Sequence, residues 1–130
     1  SIGSDAFYRC IALTSITIPK SVTSIEGSAF GYCTSLESVV IPDSVIYIDN
    51  TAFSDCNALT SVTIPDSVTF IGNWAFSDCC ALTSVTIPKS VTAIGHYAFE
   101  KCSSLKAVTI PRGLSYSSGV FPASALITEY

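Results

Sequence analysis

The 130-residue chain contains no methionine, one tryptophan (Trp74) and one histidine (His96). Charge is scarce as well: Asp, Glu, Lys and Arg supply 12% of the residues, about half the usual share of a globular domain. Each shortage narrows the function. A lone histidine and the absence of any CxxC pair give no ligand set for zinc. The same histidine falls at a turn position otherwise held by Asn50 and Asn73, a poor place for the base of a Ser-His-Asp triad. Ten acids against six bases leave a net charge of -4, the wrong sign for a broad nucleic-acid surface, so no nucleic-acid partner is expected. No apolar run approaches the roughly 18 residues of a membrane span, so no membrane insertion is expected either. Neither a GxGxxG nor a P-loop pattern is present, and no cofactor is called for.

What is present is hydroxyl and repetition. Twenty-one Ser and 13 Thr make neutral, hydroxylated solvent faces. Ile-Pro pairs recur every 23 residues from Ile18-Pro19 to Ile110-Pro111, Ala-Phe pairs keep the same step from Ala6-Phe7 to Ala98-Phe99, and so do Cys10, Cys33, Cys56, Cys79 and Cys102. Such a period marks a repeat architecture whose units cannot close a core alone and must stack. Ser1 opens in the middle of a unit, so the chain reads as part of a longer one.

One unit, Leu59 to Ala81, carries the local logic. Leu59, Val62 and Ile64 alternate with Ser61 and Thr63, the two-residue period of a half-buried strand. Pro65 lacks the N–H to continue pairing and begins a turn. Val68 and Ile71 return to the interior through a second, very short strand, Gly72-Asn73 turns again, and Ala75-Phe76 and Cys79 fill the far side. Stacking then aligns identical residues in columns about 4.8 Å apart.

The unit LxxLxLPxxLxxIxxxAFxxCxx resembles the treponemal-type, 23-residue leucine-rich repeat of BspA-like surface proteins. Leu59, Val62, Ile64-Pro65, Val68, Ile71, Ala75-Phe76 and Cys79 carry the match. The resemblance implies a mainly β repeat solenoid with a short parallel-strand sheet on its concave face and turns or very short strands elsewhere. It also implies a secreted or cell-surface, adhesin-like protein that binds host extracellular proteins, matrix or plasma proteins among them, or other cells. About five units span residues 1–114. Beyond Leu114 the pattern degrades: Ser117 replaces an aliphatic, Phe121 comes one residue early and Ala125 stands where a cysteine is due. Residues 115–130 are therefore expected to form a degenerate capping segment.

Stacked columns bring cysteine Cα atoms within disulfide range. Their parallel side chains hold the Cβ atoms near 5 Å instead of the required ~3.8 Å, which favours a ladder of free thiols over a disulfide framework. Cys80, outside the register, is the expected exposed sulfur. Asp43 with Asp66 and Asp55 with Asp78 form acidic pairs at glycosidase-like spacing, in columns that also hold Lys20, Lys89, Arg112, Arg9 and Lys101 and so read as charge compensation. No catalytic residue is assigned.

Binding is expected at positions that do not repeat. Tyr47, Phe70, Trp74 and Tyr97 are predicted to form one exposed aromatic patch across two or three coils. Ser61, Thr63, Ser84 and Thr86 belong to outward Ser/Thr rows on the sheet, a second candidate surface for a protein ligand; an ice-binding array is the weaker reading because Val40 and Ala107 interrupt the rows. A spacer stalk with no ligand is the alternative function. The open ends of the solenoid are a third contact surface, for self-association.

Overall fold

A computed structural model describes all residues 1–130 as a parallel β-solenoid of short strands and turns, with no helix. The strands are β1 (Ser15–Thr17), β2 (Ser24–Ile25), β3 (Ser38–Val40), β4 (Tyr47–Ile48), β5 (Phe70–Ile71), β6 (Ser84–Thr86), β7 (Ala93–Ile94), β8 (Ala107–Ile110) and β9 (Leu126–Glu129). They form three sheets, β1-β3, β2-β4-β5-β7 and β6-β8-β9, all parallel. The register is the sequence period: Ser15 faces Ser38 and Tyr47 faces Phe70, 23 residues on.

Alternation within each strand sorts side chains as the period demands. In β3 and β6 the central Val39 and Val85 are buried while their neighbours face solvent. The prolines that follow close tight turns, with the N–H of Val45, Val68 and Val91 donating to the carbonyls of Pro42, Pro65 and Pro88 at 3.1 Å.

The expected strand at Ser61–Thr63 departs from this plan. Ser61 and Thr63 are exposed and Val62 and Ile64 buried, so the facing is as read. No backbone hydrogen bond, however, joins Thr60–Ile64 to either flanking coil, which leaves β1-β3 and β6-β8-β9 as separate sheets. Facing follows from local backbone alternation, whereas pairing depends on the separation of two neighbouring coils, which this segment does not itself set.

Phenylalanine forms the axis of the core. Rings of Phe7, Phe30, Phe53, Phe76 and Phe99 stack at 5.1–5.2 Å between centroids, within 1–5° of parallel, and Phe121 continues the column at 5.4 Å and 22°. Beside them run the cysteines, all free thiols. The Sγ–H groups of Cys33, Cys56, Cys79 and Cys102 donate to the carbonyls of Phe7, Phe30, Phe53 and Phe76 at 3.0–3.3 Å. Burial pushes the thiols of Cys33 and Cys56 upward, and the neighbouring Cys102 thiol together with burial does the same to Cys79.

After Phe99 the winding shortens. Phe121 follows by 22 residues, and Leu126 of β9 pairs with Ala107 of β8 after only 19. Residues 115–130, expected as a capping segment, thus run through one more, tighter coil.

Candidate functional site

Two left-handed turns recur in every coil, and they decide which residues reach the surface. Asp5, Ser28, Thr51, Trp74 and Tyr97 have φ between 54° and 60°, as do Arg9, Tyr32, Asp55, Asp78 and Lys101 between 57° and 60°. Non-glycine residues are disfavoured there, bulky ones most, because Cβ crowds the following carbonyl. Each turn is held from the next coil: the N–H groups of Trp74, Phe76 and Asp78 donate to the carbonyls of His96, Ala98 and Glu100 at 3.0, 2.7 and 2.8 Å. An asparagine ladder tightens it further. Asn50 Oδ1 accepts the N–H of Asn73 and Asn73 Oδ1 that of His96, each at 2.8 Å. The ladder leaves no room at Gly72, where a Cβ would lie 2.5 Å from the Asn50 nitrogen.

Trp74 and Tyr97 sit on this strained turn, 41% and 42% exposed. Their rings stack at 5.4 Å and 20°, and Trp74 Nε1 donates to Glu100 Oε2 at 3.2 Å, which fixes the indole. Tyr97 also leans on the last coil, so closely that a Cβ at Gly119 would fall 2.7 Å from its ring. Tyr47 and Phe70 project from β4 and β5 as a second pair, 5.1 Å apart and tilted by 47°. Within the patch expected of these four aromatics, the direct ring contacts are two: Tyr47 with Phe70 on β4 and β5, and Trp74 with Tyr97 on the turns that follow β5 and β7.

The sheet face gathers its candidates more closely. Ser61, Thr63, Ser84 and Thr86 all line one cleft of about 350 Å3, beside the gap between β3 and β6. Asp66 and Tyr130 line it as well. Tyr130 reaches back two coils, donating its hydroxyl to the Ile87 carbonyl at 2.8 Å, with Lys89 Nζ 5.5 Å from the ring centroid. Sequence reading missed Tyr130, because the short last coil that aims it cannot be inferred from a 23-residue step.

A third cluster was also missed. The Arg9 guanidinium lies over both Tyr8 and Tyr32, at 5.5 and 5.4 Å, and the two rings meet edge-on at 5.7 Å. Its signal was the column Arg9, Tyr32, Asp55, Asp78, Lys101. In that column burial and the Asp78 charge raise the Asp55 pKa, with Lys101 and the Tyr32 hydroxyl pulling it back. His96 is exposed, its Nδ1 3.2 Å from Ser117 Oγ. No three His, Cys, Asp or Glu side chains converge on a common point.

With this geometry the chain can be set beside known proteins. A family model described as a BspA type leucine rich repeat region matches residues 1–128 in six copies. A leucine-rich repeat protein from Bacteroides ovatus is 30% identical with a TM-score of 0.89, over 95% of this chain and 32% of that one. The T. pallidum Leucine Rich Repeat protein is 32% identical at 0.86, over 97% and 60%. A leucine rich cell surface protein from Faecalibacterium prausnitzii is 33% identical at 0.82, over 89% and 32%. The chain thus spans between about a third and three fifths of these proteins. No curated protein matches it.

Proposed function

The chain belongs to the BspA-type leucine-rich repeat family, a repeat module of the kind bacterial surface-type proteins carry, and on that footing we propose that it is a non-catalytic protein-binding module of a secreted or cell-surface adhesin. Its ligand is an extracellular protein. The aromatic residues Tyr47, Phe70, Trp74 and Tyr97 and the cleft of Ser61, Thr63, Ser84 and Thr86 are the contact surfaces.

One observation carries the reading. Trp74 and Tyr97 occupy left-handed positions filled in earlier coils by Asp5, Ser28 and Thr51; every non-glycine residue bears the same backbone strain there, but only these two present large aromatic area to solvent. Paired aromatics on an exposed face that smaller residues fill in the earlier coils suit a ligand better than a scaffold. Tyr and Trp also give large contact area at little ordering cost, which a rigid solenoid presents ready-made.

The test is binding to immobilised extracellular-matrix and plasma proteins, beside a variant with Ala at Tyr47, Phe70, Trp74 and Tyr97. Saturable binding that persists at high salt and disappears in the variant is the expected result. Binding kept by the variant moves the contact to the Ser/Thr cleft, and no binding by either protein favours a spacer stalk.

A further inference from the structure

The turns after Pro88 and Pro111 enclose a second pocket, of about 300 Å3, between residues 89–92 and 111–115. Lys89 and Arg112 flank it, both exposed, one coil apart in a single column, and no acidic residue lines it. Asp66, the residue before Lys89 in that column, lines the sheet cleft instead. Two like charges carried by adjacent coils, whose backbones stand roughly 5 Å apart, repel each other and are relieved by an anion between them.

The backbone supplies further donors. Gly113 replaces the serines at positions 21, 44, 67 and 90 of its column, has φ of 86°, and a Cβ there would meet nothing within 4 Å, so this side of the pocket is open. The N–H groups of Arg112 and Leu114 are taken by the carbonyls of Tyr130 and Pro111, whereas those of Gly113 and Ser115 donate to no protein acceptor. Long-range charge favours the same place. Residues 82–130 hold Lys89, Lys101, Lys106 and Arg112 against Glu100 and Glu129, while residues 1–81 hold eight acids against Arg9 and Lys20. The acidic chain therefore has one basic end, and the pocket lies in it.

We infer that this pocket is an oxyanion site, taking one carboxylate, phosphate or sulfate group between Lys89 and Arg112, with the Gly113 and Ser115 N–H groups as free donors. Both cations are solvated, so binding is modest in strength and weakens with salt. The site is separate from the aromatic surface. It adjoins the Ser/Thr cleft across the Pro88-Lys89 turn and Tyr130, so one ligand lying in the cleft has an oxyanion site within reach.

The experiment is an NMR titration of the 15N-labelled chain with sodium phosphate and, separately, sodium acetate at constant ionic strength. A short uncharged extension after Tyr130 removes any free carboxylate from that position. Saturable shifts centred on Gly113 and Ser115 are expected, weakened about two- to fivefold by Lys89→Gln or Arg112→Gln, lost in the double variant and unchanged by Lys20→Gln. Tighter binding of phosphate assigns the site to a phosphate or sulfate group, and equal binding to a carboxylate. Shifts that do not saturate, or that persist in the double variant while its spectrum stays folded, overturn the proposal.

Discussion

Trp74 and Tyr97 lie face to face, 5.4 Å between ring centroids, each on a backbone turned through the left-handed region at φ of 54° and 60°. The stack and the strain oppose each other energetically. Stacking is worth about 0.5–1.5 kcal/mol, and relief of the left-handed strain by glycine about 1–2 kcal/mol per position.

Replacing both residues by glycine should therefore abolish ligand binding at only a modest cost in stability in urea, because relief of the backbone strain offsets part of the lost stack, the Glu100 hydrogen bond and the contact with the last coil. A fall of more than about 2 kcal/mol would show that the pair holds the fold together.

The phenylalanine column should behave in the opposite way. Phe76 is fully buried with a parallel ring 5.2 Å away on each side, so Phe76→Ala should cost about 3–5 kcal/mol. Phe7 stacks on one side only and is half-buried. Phe7→Ala should cost clearly less, and guanidinium unfolding of the two variants compares them directly.

Gly72→Ala should destabilise strongly, since its Cβ would stand 2.5 Å from the Asn50 nitrogen and 2.6 Å from the Asp49 carbonyl carbon. Neither is the end of a flexible side chain, so the coils themselves must part, at about 1–3 kcal/mol or more. Gly3→Ala meets nothing within 4 Å and should be neutral. Thermal melts of the two proteins separate steric from compositional effects.

Asp55 provides a pH signature. Its folded-state pKa is raised, by burial first and the Asp78 charge second, so the folded chain holds this proton more tightly than the unfolded one. The contribution of Asp55 to stability is present below the ordinary carboxylate pKa and is lost as pH rises through the raised value. Asp78→Asn should bring the Asp55 titration, followed by carboxyl NMR, back toward the ordinary range. A midpoint that stays in place would assign the shift to burial alone.

Thiol modification should sort the cysteines by position. Cys33, Cys56, Cys79 and Cys102 are buried and bonded to phenylalanine carbonyls, whereas Cys10 and Cys80 are partly exposed. Two of the six should react with an aromatic disulfide reagent in the folded protein, and all six after denaturation. Equal reactivity of all six in the native state would contradict the buried column.

Much of the winding is legible in the amino-acid sequence. A 23-residue step in Ile-Pro, Ala-Phe and Cys places like residues in columns, and the observed register of Ser15 on Ser38 and Tyr47 on Phe70 is that step. The inward set was equally readable, because two-residue alternation around Val39, Val62 and Val85 is a local property of extended chain. The candidate surfaces were legible only as positions. Tyr47 and Phe70 were visible as departures from the repeat, as were Trp74 and Tyr97, but which rings touch was not.

By itself, then, the amino-acid sequence determined the period, the facing of each strand and the identity of the columns, since these depend on neighbours along the chain and on the identity of residues one coil away. The tertiary structure alone decided how closely adjacent coils approach. Their packing leaves Thr60–Ile64 without a ladder, next to the cleft at Ser61, Thr63, Ser84 and Thr86. It also carried Tyr130 across a shortened last coil to the Ile87 carbonyl, because distances between coils are set by the sum of all their contacts and no single unit encodes that sum.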